Sequence, residues 1–259
     1  MALESPGLPP PIWQPPLQPG PPTLGEESTR QSAELAGQPV PAHAGAVDQR
    51  RRALNVAVAA AGILILAPLM ILIAIAIKLT SRGPVLFRQD RIGLDRRRGG
   101  RSPSDEARRE RDRGGTVFTM YKFRTMRVLE EGEAPQVWAT PDDPRITVVG
   151  RVLRRYRLDE IPQLFNVLRG DMNVVGPRPE QPEIFEQLRP EVDRFTERQR
   201  VLPGITGWAQ INRGYDQCLD DVRRKVGLDL EYIRQRSPAE DLRIMVRTLP
   251  VMVKRKGGH

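Results

Sequence analysis

The sequence has few of the residues on which much enzyme chemistry depends. Among 259 residues there is one cysteine, Cys218, and two histidines, His43 and His259. A single cysteine excludes an internal disulfide, fits a reducing compartment, and rules out a thiol-rich zinc site. Both histidines fall in expected tails, so imidazole is set aside as catalytic base or metal ligand. Acid–base or nucleophilic work is left to carboxylates, lysine, tyrosine or Cys218. Nor does the chain contain Gly-x-x-x-x-Gly-Lys-Ser/Thr, Gly-x-Gly-x-x-Gly or Asp-x-Asp. These absences argue against a P-loop NTPase, a dinucleotide-binding Rossmann unit, and glycosyltransferases that hold a nucleotide-bound metal through Asp-x-Asp. No internal repeat is visible, and the length suits one domain with appendages.

Negative charge is also in deficit: 32 Asp+Glu face 41 Lys+Arg, a net charge of +9. Such a balance suits nucleic acid, an anionic membrane surface or phosphorylated substrates. Nucleic acid is disfavoured, because the arginines are scattered among carboxylates and no nucleic-acid-binding motif emerges.

What is present starts with a tail. Residues 1–48 hold 11 of the 25 prolines and few large apolar residues; this reads as a disordered Pro-rich tail. Residues 49–80 read as a membrane helix. From Ala53 to Leu79 the only polar interruptions are Asn55 and Lys78, both near the ends, and fourteen residues are Leu, Ile or Val. At about −0.3 to −0.6 kcal/mol of insertion free energy each, these outweigh one terminal lysine. Val56–Ile77 would be about 33 Å long as a straight helix, enough to span a bilayer. Pro68 near the middle removes a backbone hydrogen bond and kinks the helix. Arg50, Arg51 and Arg52 flank one end, and Lys78, Arg82 and Arg88 the other. Symmetric positive flanks favour a hairpin that enters and leaves by one face over a kinked crossing helix.

Residues 81–256 read as the main domain. The stretch 83–89 reads as a turn followed by a short strand and 117–124 as its β-hairpin partner, which places Lys122 and Arg124 on one face about 7 Å apart. Between them, residues 96–113 carry eight arginines and four acids and read as a solvated Arg-rich insertion. Residues 153–164 crowd Arg154, Arg155 and Arg157 around Asp159 and Glu160. Asp159 is expected to cap a helix running to Arg169, with Pro162 in its first turn and Gly170 past its end. An ordinary cap with a Glu160–Arg157 pair and a phosphate site carrying its own carboxylates both fit that pattern. Arg178, held between Pro177 and Pro179, suits a fork-to-fork grip on phosphate; a rigid surface turn fits as well. Residues 183–201 have helical apolar spacing with a kink at Pro190, and residues 242–254 suit a helix on the core or at the lipid interface.

Six segments in order, GPVLFRQ (83–89), YKFRTM (121–126), LDEIPQL (158–164), GDM (170–172), VGPRP (175–179) and PGITGW (203–208), resemble the bacterial sugar transferase family, the monotopic polyprenyl-phosphate phosphoglycosyl transferases. The resemblance covers residues 51 to 253. It implies an α+β fold, mostly helical and monotopic, with a re-entrant membrane helix hairpin, a small β-hairpin and amphipathic interfacial helices. It implies an enzyme that moves a phosphosugar from a UDP-sugar to undecaprenyl phosphate, with release of UMP, at the cytosolic face of the bacterial inner membrane. On that basis Asp159 is the expected nucleophile and ligand of a required Mg2+, and Glu160 assists. Lys122, Arg124, Arg154 and Arg178 are the expected phosphate contacts. The chain departs from the family's frequent Lys-Arg-x-Phe-Asp opening, having Arg51-Arg52-Ala53-Leu54-Asn55. It also has Ala67-Pro68 where Ser-Pro is common, and a longer insertion between the two strands.

Overall fold

The computed structural model describes residues 45–95, 114–128, 143–212 and 218–254. The Pro-rich tail up to residue 44 and the Arg-rich insertion lie outside the described residues. Helix α1, Gly45–Thr80, is 36 residues long and apolar enough to cross a membrane. Arg51, Asn55 and Ala59 are buried before Pro68, and Ile73 and Ile77 after it. The spacing of four places each set on one stripe. Between them Leu64 is 78% and Ile65 74% exposed, and Ile71 and Leu72 also face outward. Each such side chain forgoes about 1.5–3 kcal/mol by staying unburied in water, so this free stretch suits lipid. The helix runs without a break through Pro68, and next to it Leu69 and Met70 pack against Ile73, Ile77, Phe123 and Leu153, so one face of the helix lies on the domain and the other faces outward.

The N-terminal part of the helix is fixed by a buried polar network. Arg51 pairs with Asp241, Nε to Oδ2 at 3.2 Å and Nη2 to Oδ1 at 3.3 Å. Asn55 donates to Asp241 at 2.9 Å and accepts from the backbone N–H groups of Val174 and Val175 at 2.8 and 3.1 Å. The acid missing from position 55 is thus supplied from far along the chain by Asp241.

Strands β1, Leu86–Ile92, and β2, Val117–Phe123, form the expected antiparallel hairpin, with Leu86 opposite Phe123 and Ile92 opposite Val117. Helix α2, Val148–Arg155, is capped by Thr147, whose hydroxyl accepts from Gly150 N. A side chain at Gly150 would collide with the Thr125 backbone, so glycine lets α2 lie directly on the end of the hairpin. The expected single helix capped by Asp159 is replaced by two pieces. Arg157 takes a left-handed conformation (φ 56), Leu158–Glu160 forms a 3-10 turn, and α3, Gln163–Arg169, begins after Pro162 without a side-chain cap. Gly170 ends α3 in the left-handed region (φ 91), where glycine carries no Cβ penalty.

A second, parallel pair, β3 (Asn173–Val175) and β4 (Gly204–Thr206), gives no periodic signal because each strand is three residues long. Helix α4, Pro182–Glu191, ends one residue past Pro190 rather than kinking there. Phe195–Arg200 is a separate 3-10 turn, entered through left-handed Arg194. Helices α5 (Trp208–Asn212), α6 (Leu219–Gln235) and α7 (Pro238–Lys254) follow. The main core gathers Phe185, Phe195, Leu230, Ile233 and Ile244. Two outer helices are amphipathic. On α7, Ile244 is buried while Leu242, Val246 and Leu249 are exposed; on α2, Val148, Val152 and Tyr156 are exposed at i, i+4 and i+8.

Candidate active site

The hairpin, the 3-10 turn and the Pro-Arg-Pro loop converge on one carboxylate. Oε1 of Glu160 accepts from Lys122 Nζ at 3.0 Å and from Arg178 Nη2 at 2.9 Å, and Arg157 Nη1 lies 3.7 Å away. The left-handed turn at Arg157 makes this possible: it reverses the chain after α2, so Glu160 points inward beneath Lys122 of β2. Burial alone would raise the Glu160 carboxyl, but Arg178 and then Lys122 outweigh it and hold it well below the ordinary carboxylate range. Burial also lowers Lys122, against the pull of Glu160.

Asp159 is in the opposite situation. It is half-buried, and among the described residues its carboxylate takes no side-chain hydrogen bond or ion pair. Burial raises its pKa, the adjacent Glu160 raises it further, and Lys122, Arg157 and a hydrogen bond from its own backbone N–H oppose both. The environments of the two neighbouring carboxyls thus push them in opposite directions, Glu160 down and Asp159 up, a pattern that recurs at acid–base sites.

The structure brings Lys122, Asp159, Glu160 and Arg178 together, as expected. It does not bring Arg124 there. Arg124 lies just beyond β2, is buried, and donates to Arg82 O at 2.7 Å, Ser81 O at 2.8 Å and Ser81 Oγ at 2.7 Å. Its fork grips the exit of the membrane helix, so the even strand spacing from Lys122 to Arg124 does not give a two-cation face. Arg154, in the last turn of α2, is not bonded to Glu160. Its charge adds to the bonds from Arg145 that push Asp143 down to about 2. Pro68 lies inside α1, on its exposed face. Arg157 enters as the third cation on Glu160, in the pairing that the local sequence allowed. Arg91, Glu180 and Arg198, which surround the Pro-Arg-Pro loop, carried no local signal. Among the described residues no group of three or more His, Cys, Asp or Glu side chains could hold a metal ion, so any metal here would rely on Asp159 and on oxygens of a bound ligand.

Comparison with known proteins agrees with this geometry. Residues 47–255 match the model of the bacterial sugar transferase family. The chain is 41% identical over 201 residues to the UDP-glucose:undecaprenyl-phosphate glucose-1-phosphate transferase of Escherichia coli (strain K12), covering 77% of this chain and 39% of that protein. It is 40% identical over 211 residues to a protein of the same name from Caulobacter vibrioides, covering 80% of this chain and 71% of that one. It is 39% identical over 199 residues to the UDP-N-acetylgalactosamine-undecaprenyl-phosphate N-acetylgalactosaminephosphotransferase of Aeromonas hydrophila, covering 77% and 42%. The match to the Escherichia coli protein thus spans about two fifths of that protein's length. The chain belongs to the bacterial sugar transferase family.

Proposed function

We propose that this protein transfers a phosphosugar from a UDP-sugar to undecaprenyl phosphate in two displacements at one phosphorus. An oxygen of Asp159 attacks the sugar-bearing phosphorus, the bridging P–O bond to the other phosphate breaks, and UMP leaves. The aspartyl-phosphosugar is then attacked by a phosphate oxygen of undecaprenyl phosphate. The acyl phosphate bond breaks, the Asp159 carboxylate is regenerated, and the diphosphate-linked sugar departs. One observation carries this reading: Asp159 is half-buried and, among the described residues, without a side-chain partner, directly beside the cations that its neighbour Glu160 holds in place. A carboxylate nucleophile needs no histidine to activate it. Lys122, Arg157 and Arg178 supply the positive field that phosphoryl transfer requires. Through Glu160 they are held at the site before substrate arrives.

Mg2+ fits this donor set, since it binds through one or two carboxylates plus substrate phosphates and water. Asp159 would hold it, and the ion would neutralise charge on the diphosphate. The membrane arrangement supports a lipid acceptor. Pro68 inside α1 and the exposed apolar side chains Leu64, Ile65, Ile71 and Leu72 around it support a helix that re-enters the bilayer, with the exposed faces of α2 and α7 resting at the interface. The catalytic face then lies on the cytosolic side of the inner membrane, and the product begins assembly of a surface glycan such as an exopolysaccharide, capsule or O-antigen.

The test is mass spectrometry of purified protein mixed with UDP-glucose, UDP-galactose or UDP-N-acetylhexosamines and Mg2+ without lipid. A phosphohexose or phospho-N-acetylhexosamine on the Asp159 peptide is expected, and it should be absent in Asp159→Asn. UMP release that persists in Asp159→Asn, or sequential rather than double-displacement kinetics, refutes the mechanism.

A further inference from the structure

In the segment Pro177-Arg178-Pro179-Glu180, two of the four residues lack an N–H, so the carbonyls carry most of the backbone's capacity to be held. All four carbonyls are held. Pro177 O accepts from Gly204 N at 2.9 Å, and Glu180 O from Ile92 N at 2.9 Å. Arg178 O accepts from Arg198 Nη2 at 2.9 Å, and Pro179 O from Arg91 Nη1 at 3.1 Å. The outer two donors are strand backbone, while the inner two are arginine side chains that do not donate to Glu160.

Arg198 is anchored to aim at that carbonyl. Its side chain is 1% exposed, its Nε donates to Asp229 at 2.7 Å, and its Nη1 donates to Glu180 Oε1 at 3.2 Å. Lys225 shares that Glu180 oxygen at 2.9 Å. Arg91 is steadied by Gln89, which accepts from its Nη2 at 2.6 Å. We infer that Arg198 and Arg91 are positioning residues, which clamp the two central carbonyls of the Pro-Arg-Pro loop so that Arg178 meets the diphosphate of the donor in a fixed pose. The clamp presupposes the transfer reaction proposed above. An arginine with a mobile backbone loses more freedom on gripping phosphate than one already pinned.

The experiment is a mutant cycle on the full chain in lipid nanodiscs, following UMP release from UDP-glucose, or from whichever UDP-sugar the wild type turns over. Arg91→Gln is expected to lower kcat/KM about tenfold, mainly through KM, as the loss of one charged hydrogen bond suggests. In an Arg178→Ala background the same change should cost less than about twofold, because its target is gone. Arg198→Lys, which keeps the charge but not the fork, should behave likewise. Equal losses in both backgrounds overturn the clamp and make Arg91 a direct ligand or a merely structural residue. Structures of Arg91→Gln and Arg198→Lys decide the matter without turnover. Arg178 displaced from Glu160 supports the clamp, and Arg178 still bonded to Glu160 overturns it. Absence of UMP release from wild type with every UDP-sugar tried overturns the transfer reaction, while the two structures still judge the clamp.

Discussion

The seat of the membrane helix offers a test whose size follows from its hydrogen bonds. Arg51 and Asp241 are 3% and 0% exposed and meet through two contacts at 3.2 and 3.3 Å. Removing one partner of such a pair leaves a buried charge without its counter-ion, at a cost of about 3–5 kcal/mol. Arg51→Met and Asp241→Leu should each lose that much. The double variant should lose less than either, because well-packed apolar replacements of a buried pair are often neutral. The surrounding groups permit this outcome. Without Asp241, Asn55 still donates to Arg51 O at 2.7 Å and accepts from β3, and Tyr232 still donates to Val175 O at 3.1 Å. The assay is denaturant unfolding in detergent micelles, with hydrogen exchange across residues 51–59 to localise the effect. Each single variant should expose that segment to exchange, and the double variant should protect it again. A double variant as unstable as the sum of the singles refutes the reasoning, since the network would then act as more than a charge pair.

Four further outcomes are expected. Asp159→Asn should reduce UMP release by more than about a thousandfold, as loss of a covalent nucleophile does, with an unchanged unfolding midpoint. Arg124→Ala should cost about 1.5–3 kcal/mol, as expected for bonds from a charged donor, and leave KM for the UDP-sugar unchanged; a raised KM without loss of stability would restore Arg124 to the phosphate site. Glu180, which burial would raise but Lys225 and Arg198 hold at about 2, binds protons more weakly folded than unfolded. Its contribution is complete above pH 4.5 and fades as pH falls toward 2, so Glu180→Gln should flatten the acid limb of a stability–pH curve by roughly 2–3 kcal/mol. With Cys218 replaced by serine, cysteines at positions 46 and 83 should be labelled from the same side of a sealed vesicle; labelling from opposite sides ends the re-entrant reading.

The sequence by itself determined much of the chemistry. A chain whose histidines lie only in its expected tails leaves its chemistry to carboxylates, lysine, tyrosine or Cys218, and a 27-residue apolar run with a central proline suits lipid. The hairpin was legible because period-2 strands with turn residues are local signals, and the resemblance marked Asp159, Glu160, Lys122 and Arg178, together with Arg124 and Arg154. Tertiary structure decided which of these side chains lie together. Strand spacing put Arg124 beside Lys122, yet the end of α1 supplies three oxygens that capture it, a contact from far back in the chain. No local rule foretold the left-handed turn at Arg157 that separates Asp159 from a capping role, nor the three-residue parallel strands, too short to show a period. Asp241 replaces the acid missing at position 55 from 186 residues away. Local propensities act over a few residues, whereas charge compensation in a buried site acts over ångströms, and only the folded chain converts one distance into the other.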